Sequence, residues 1–403
     1  MTRASEKVAV PRLRFKGCEG AWSSEPFAKF VERRTVAADD DRLPCVEYED
    51  IVSGEGRLND AFPKKQTHKK GLLFEPDDVL FGKLRPYLRN QLRAEFKGIA
   101  VGDFWVFRGT SICGKFLYAL TESEGFQFIA NISAGSKMPR SDWNLVSSSQ
   151  FSYPHDSMEQ DKIGQGFQTI DTTVSLCESR LSSLRQLKRA MLVKMFPRPG
   201  QCVPEIRFKG FERKWEEALL SRYLTVSDSV NVDDTFDAND VLSVSGEYGV
   251  VNQILFQGRS FAGASLKNYH VLRHGQVTYT KSPLKQCPYG IVKTNKGADG
   301  IVSSLYGVYN AKSGVDAEFV QVYFDNHDRL NAYLRPLVNK GAKNTLLISD
   351  ENALTGEVCF PSFEEQRKIA AFFHNLDRLI GAAEKKVAKL RQVKASLLER
   401  MFV

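Results

Sequence analysis

Apolar residues at alternating steps of four and three, Ile163, Phe167, Ile170, Val174, Cys177, Leu181 and Leu184, lead into Lys188, Met191 and Met195. The same series recurs 206 residues later as Ile369, Phe373, Leu376, Ile380, Ala383, Val387, Leu390, Lys394, Leu397 and Met401. A spacing of 3.5 keeps one apolar stripe on one side of a helix only if that helix supercoils against a partner. The chain therefore carries the same long helix twice, and each copy is the obvious partner of the other. Both starts are marked alike, by Pro154, Asp156 and Glu159 and by Pro361, Ser362 and Glu365: a proline, a capping residue and a glutamate three positions on. Each helix would be about 60 Å long, too long to lie across one small domain and suited to act as a spacer.

Lys188 and Lys394 stand at a-type seam positions. A lysine there either fixes register and partner at some cost in stability or snorkels past the seam. Gly164 and Gly166 weaken the start of the first helix by about 1 kcal/mol each relative to alanine. The second copy has Ala370 and Phe372 there, so the first helix is expected to be less regular at that end.

The duplication extends beyond the helices. Pro11-Arg12-Leu13-Arg14-Phe15-Lys16-Gly17, followed by Trp22, returns 193 residues later as Pro204-Glu205-Ile206-Arg207-Phe208-Lys209-Gly210, followed by Trp215. Val79-Leu80-Phe81-Gly82-Lys83 matches Val277-Thr278-Tyr279-Thr280-Lys281 at an offset of 198, and Gly135-Ser136-Lys137 matches Gly341-Ala342-Lys343 at 206. A growing offset is what stepwise insertion into the second of two homologous halves gives. The division that follows is a first domain over 1–153, a helix over 154–196, a stiff linker over 197–203, a second domain over 204–360 and a helix over 361–403, in a chain whose 403 residues allow two or three domains. The middles read as α+β: the runs 78–81, 100–107 and 275–279 alternate as strands do and are bounded by Gly and Pro. The segments 35–41 and 237–240 read as loops.

No apolar run reaches the roughly eighteen residues of a membrane span, and the N-terminus has no signal-peptide pattern. Seven scattered cysteines without a CxxC suggest neither a disulfide framework nor a zinc site. A cytoplasmic protein is expected. A net charge of +8 and a pI near 9.0 favour an anionic partner.

Few residues offer bond chemistry. Gly109-Thr110-Ser111-Ile112-Cys113-Gly114-Lys115 has phosphate-loop spacing, but Phe116 replaces the hydroxyl that would hold magnesium, and a turn before an apolar run is the plainer reading. Asp77, Glu95 and Lys97 have the residue types of a metal-dependent nuclease, although Asp77 and Asp78 equally suit a turn before the strand at Val79. His270 and His274 have no nearby carboxylate. No catalytic residue and no metal site is expected.

Basic residues mixed with aromatics and amides crowd both middles. The first has Lys64, Lys65, His68, Lys69, Lys70, Lys83, Arg85, Tyr87, Arg89, Arg93, Lys137 and Arg140. The second has Arg259, Lys267, Asn268, Tyr269, Lys281, Ser282, Lys285, Tyr289, Lys293, Lys296, Lys343 and Asn344. Lysines neutralise phosphates, and Arg or Asn can bond base edges in pairs. Lys83, Arg85, Tyr87, Arg89, Lys137 and Arg140, with Lys281, Ser282, Lys285, Tyr289, Lys293, Lys343 and Asn344, are the candidate DNA contacts. A coiled-coil protein scaffold that never meets DNA is the contrasting possibility.

Taken together, the two Pro-x-x-Arg-Phe-Lys-Gly openings, Val79 to Tyr87, Tyr279-Thr280-Lys281-Ser282-Pro283, and the helix starts Glu159-Gln160-Asp161-Lys162-Ile163 and Glu364-Glu365-Gln366-Arg367-Lys368-Ile369 make the chain resemble the specificity subunits of Type I restriction-modification systems. The resemblance covers essentially the full length. It implies two globular target-recognition domains, each reading one half of a bipartite double-stranded DNA target, joined by two antiparallel helices with pseudo-two-fold symmetry. It further implies two methylation subunits and restriction/translocation subunits docked on this non-catalytic chain, with S-adenosylmethionine, ATP and magnesium held by those partners.

Overall fold

The computed structural model describes residues 10–62, 69–132, 138–263, 265–341 and 346–403. Two compact units emerge, Met1–Arg180 with Ala383–Val403, and Leu181–Ala382. The two long helices run Ser157–Lys194 and Phe363–Met401, so each unit contains the first part of one and the last part of the other.

In the first unit Ile163 and Phe167 share a core with Leu398 and Met401. In the second, Leu192, Met195 and Phe196 share a core with Ile369 and Phe373. Within each unit, then, the start of one helix lies beside the end of the other, which is the antiparallel pairing the resemblance implied. Ile163, Phe167, Met195, Ile369, Phe373 and Met401 are buried, as are Leu376 and Val387. Ile170, Val174, Leu181, Leu184, Ile380 and Leu390 are only half-buried, as in a seam that two helices cover by themselves.

The helix starts depart from the expected capping box. Asp156 does accept the Met158 N–H at 2.9 Å. Glu159, however, turns away from its own helix and takes Nε and Nη2 of Arg14 at 2.8 and 2.6 Å. Glu365 takes Arg207 in the same way at 2.9 and 2.6 Å. Both glutamates are buried, and a buried carboxylate needs a full counter-charge with matched hydrogen bonds; the arginine of the repeated opening supplies it. The neighbouring glutamines stitch the same joint: Gln160 Oε1 accepts the Cys113 N–H at 2.9 Å and Gln366 Oε1 accepts the Asp316 N–H at 3.0 Å.

The first helix is unbroken from its start, contrary to the irregularity its glycines suggested. A Cβ on Gly164 would lie 2.4 Å from the Lys115 Cβ and 2.9 Å from the Phe116 nitrogen. The missing side chain lets the helix Gly114–Glu122 pack directly on the long one, and that burial outweighs the propensity lost.

Each unit holds a four-stranded antiparallel sheet of one order. The first runs Val31–Arg34, Phe104–Gly109, Val79–Gly82, Gln91–Arg93; the second runs Leu224–Val226, Tyr306–Ala311, Val277–Thr280, Ile291–Thr294. The strands matched at an offset of 198 thus occupy the same place. The run 100–107 is two strands rather than one, because Gly102 at φ 102° turns the chain between Gly98–Ala100 and Phe104–Gly109. Helices Gly114–Glu122 and Ala317–Phe324 follow the longest strand of each sheet, and Phe116 and Phe319 on them are fully buried, Phe116 beside Trp22 and Phe319 beside Trp215. The architecture is α+β.

The segment 197–203 is anchored at Cys202, which is buried in the second unit's core and whose carbonyl accepts the Trp215 N–H at 3.0 Å. Segment 35–41 contains the two-residue strand Ala37–Ala38, and Asp237 caps a 3-10 turn at Ala238–Asp240. Among the described residues no helix is long and apolar enough to cross a membrane.

Candidate nucleic-acid interface

In each sheet the two strands at one side are joined by a turn that carries candidate residues. In the first unit this turn, 83–90, is built to be stiff. Arg85 and Arg89 both lie in the left-handed region, at φ 50° and 51°, on either side of the 3-10 turn Pro86–Leu88. For a residue with a Cβ that conformation costs about 1–2 kcal/mol, and it persists only where surrounding bonds fix it. Here they do. The Arg85 N–H donates to Pro139 O at 2.8 Å, Leu88 N–H to Arg85 O at 2.9 Å, Arg89 N–H to Pro86 O at 2.8 Å and Gly54 N–H to Arg89 O at 3.2 Å. Arg85, Tyr87 and Arg89 are exposed as a result.

Two residues that sequence reasoning missed anchor this turn. The Tyr48 hydroxyl donates to Asp103 O at 2.6 Å and accepts the Leu84 N–H at 3.1 Å, and burial pushes its pKa up to about 12. The Asp103 carboxylate takes Arg140 at 2.8 Å and Lys83 at 3.6 Å. Lys83 and Arg140 thereby meet at one carboxylate beside the turn that exposes Arg85, Tyr87 and Arg89. Nothing local in the sequence points to Tyr48, which reaches the turn from 36 residues away.

The second unit's turn, 281–290, spends more of its charge internally. Lys281 pairs with Asp350 at 2.9 Å, and both are largely enclosed. Lys293 is buried on its strand and bonded to Asp325 at 2.6 Å, so it is a core ion pair and not a surface contact. Tyr289 is half-buried and its carbonyl accepts the Tyr279 hydroxyl at 2.6 Å. Ser282 is half-buried; Lys285 is exposed at the tip. Lys137, Lys343 and Asn344, like Lys64, Lys65 and His68, lie outside the described residues.

The residue types read as a nuclease site are committed elsewhere. Arg93 holds both Asp77, at 3.0 Å, and Glu95, at 3.1 Å, while Lys97 pairs with Glu75 at 2.9 Å. The Asp77 carboxylate also accepts the Gly114 N–H at 3.0 Å. It sits at the helix start where a phosphate loop would hold phosphate. Of the remaining candidates, Lys69, Lys267 and Lys296 pair with Glu47, Asp234 and Glu318. Among the described residues no group of three or more His, Cys, Asp or Glu could hold a metal ion.

No family model and no curated protein matches the chain. Among solved structures it is similar to the S subunit of the Type I restriction-modification system from M. genitalium, with a TM-score of 0.58 and 11% identity over 98% of this chain and 99% of that one. The HsdS subunit from Thermoanaerobacter tengcongensis aligns with a TM-score of 0.44 and 17% identity over 94% of this chain and 96% of that one. A chain from a type I R-M system structure concerned with complex assembly and conformational transition gives 0.48 and 16% over 94% and 97%. Only the first score is high enough for the overall fold to be shared. The fold is therefore that of a duplicated two-unit α+β scaffold with paired long helices. More particularly, it is the fold of a Type I S subunit, along the whole chain.

Proposed function

We propose that the chain is the DNA sequence-recognition subunit of a Type I restriction-modification complex. Each unit would read one half of an asymmetric bipartite duplex target, and the paired helices would set the spacing and dock two methylation subunits. The observation that carries this reading is the placement of a basic turn between the same two strands of the same sheet in both units, on unlike sequence. A shared scaffold with different turns suits two unlike half-sites, much as a dimer binds two like ones. The chain itself performs no bond chemistry in this reading. Restriction/translocation subunits complete the complex in the cytoplasm, and the partner subunits hold S-adenosylmethionine, ATP and magnesium.

Methylome sequencing of cells carrying this chain with its methylation subunits tests the proposal. One modified motif with two unlike halves is expected, and exchanging residues 83–90 should change one half only. A palindromic motif, or a change in both halves, would overturn it. Duplex affinity that does not fall with rising salt would favour the DNA-free scaffold instead.

A further inference from the structure

The two copies differ where a phenylalanine meets a glycine. In the second unit Phe372, in the third turn of the long helix, packs edge-on to Phe208 with ring centroids 6.2 Å apart and an interplanar angle of 73°. The equivalent pair in the first unit is Gly166 and Phe15. With no side chain at Gly166, an apolar cavity of about 240 Å³ opens there, walled by Leu13, Phe15, Ile163, Phe167, Leu397 and Met401. A Cβ built on Gly166 would meet only the Phe15 ring, at 3.4 Å, so the space is free. Phe15 is 37% exposed, whereas Phe208 is half-buried under its partner ring.

We infer that this cavity in the first unit is a docking pocket for one phenylalanine side chain of a partner polypeptide, flanked on that partner by acidic residues. The ring is specified by the molecule itself, since the duplicate of the cavity is filled by Phe372. The flanking charge is specified by the rim. Lys162 lies one turn before Gly166 on the same helix face, Lys16 follows Phe15, Arg400 precedes Met401, and all three are exposed. By helical spacing Asp161 and Glu399 project to other sides. A buried aromatic anchor inside a charged rim is the usual form of an energetically dominant contact. The pocket exists in one unit only, so it would bind one partner segment per chain, whatever DNA sequence is read.

The probe is the capped tripeptide Glu-Phe-Glu, with Glu-Ala-Glu as control, titrated into the full chain by NMR or calorimetry. One equivalent of the phenylalanine peptide should bind, more weakly as salt rises, and the control should not. Gly166→Phe should fill the pocket, abolish binding, raise the melting temperature and leave duplex affinity unchanged. Phe372→Ala should open the second copy and raise the stoichiometry to two. Equal binding of both peptides, or unchanged binding by a folded Gly166→Phe chain, would overturn the inference. A concentration-dependent dimer that Gly166→Phe dissolves would overturn it too, by assigning the pocket to a second copy of this chain.

Discussion

Lys394 and Lys188 hold equivalent seam positions, yet the two units treat them differently. In the first unit Lys394 is nearly enclosed and bonds Asp171 at 2.6 Å and Glu122 at 2.7 Å. In the second, Lys188 bonds Asp377 at 2.6 Å with the aspartate half-exposed. Asp171 and Asp377 are themselves 206 residues apart, so the cross-helix bridge is duplicated and the additional carboxylate is not. At the corresponding helix end the second unit has Asp325, committed to Lys293. The same helical code thus gives a buried three-charge cluster once and a surface bridge once. Neighbouring layers decide what a seam lysine is worth.

The sharpest way to break this comparison is to begin where the units agree. Arg14→Ala and Arg207→Ala each leave a buried glutamate unpaired and should cost about 3–5 kcal/mol, equally in the two copies, by urea unfolding. A large difference between them would show that the joints are not duplicates.

Next comes the lysine pair. Lys394→Met should cost about 3 kcal/mol, since two buried carboxylates lose their counter-charge, whereas Lys188→Met should cost about 0–1 kcal/mol. The pH dependence carries a sign. Burial raises the pKa of Glu122 and of Asp171, Lys394 opposing it in both. Burial also lowers that of Lys394, but the two carboxylates more than reverse this. An acid with a raised folded-state pKa destabilises the fold increasingly as pH rises from its unfolded value towards the folded one. Without the lysine that penalty grows. The Lys394→Met deficit should therefore be largest at neutral pH and shrink as pH falls into the carboxylate range, while that of Lys188→Met changes less.

Gly164 and Ala370 sharpen the contrast further. Ala370→Gly should cost about 1 kcal/mol, as helix propensity dictates. Gly164→Ala should destabilise as well, by about 1–3 kcal/mol, because its Cβ would strike the Lys115 backbone. Stabilisation by Gly164→Ala would refute that close approach.

The two turns differ in binding rather than in stability. Arg85→Ala should weaken duplex binding by about 1–3 kcal/mol and relax specificity at one position, whereas Lys285→Ala should weaken all sequences alike and reduce the salt slope by about 1. Tyr48→Phe should mimic part of the Arg85 effect, through loss of the hydroxyl that positions the turn.

Periodicity made the helices and the duplication legible, because a seam of 3.5-residue spacing is written in one dimension. The matched strands at Val79 and Val277 were legible for the same reason. Pairwise placement was not. Glu159 read as a cap, and only the structure shows it clamping Arg14 across 145 residues. Lys293 read as a candidate contact, but only the packed helix reveals Asp325 beside it. By itself, then, the sequence determined that one helix and one sheet are built twice, with basic residues between the same strands. Tertiary structure alone decided which charges reach solvent, which are neutralised inside, and where Gly166 leaves room for another chain's ring, because burial and counter-charge depend on neighbours brought together from far along the chain.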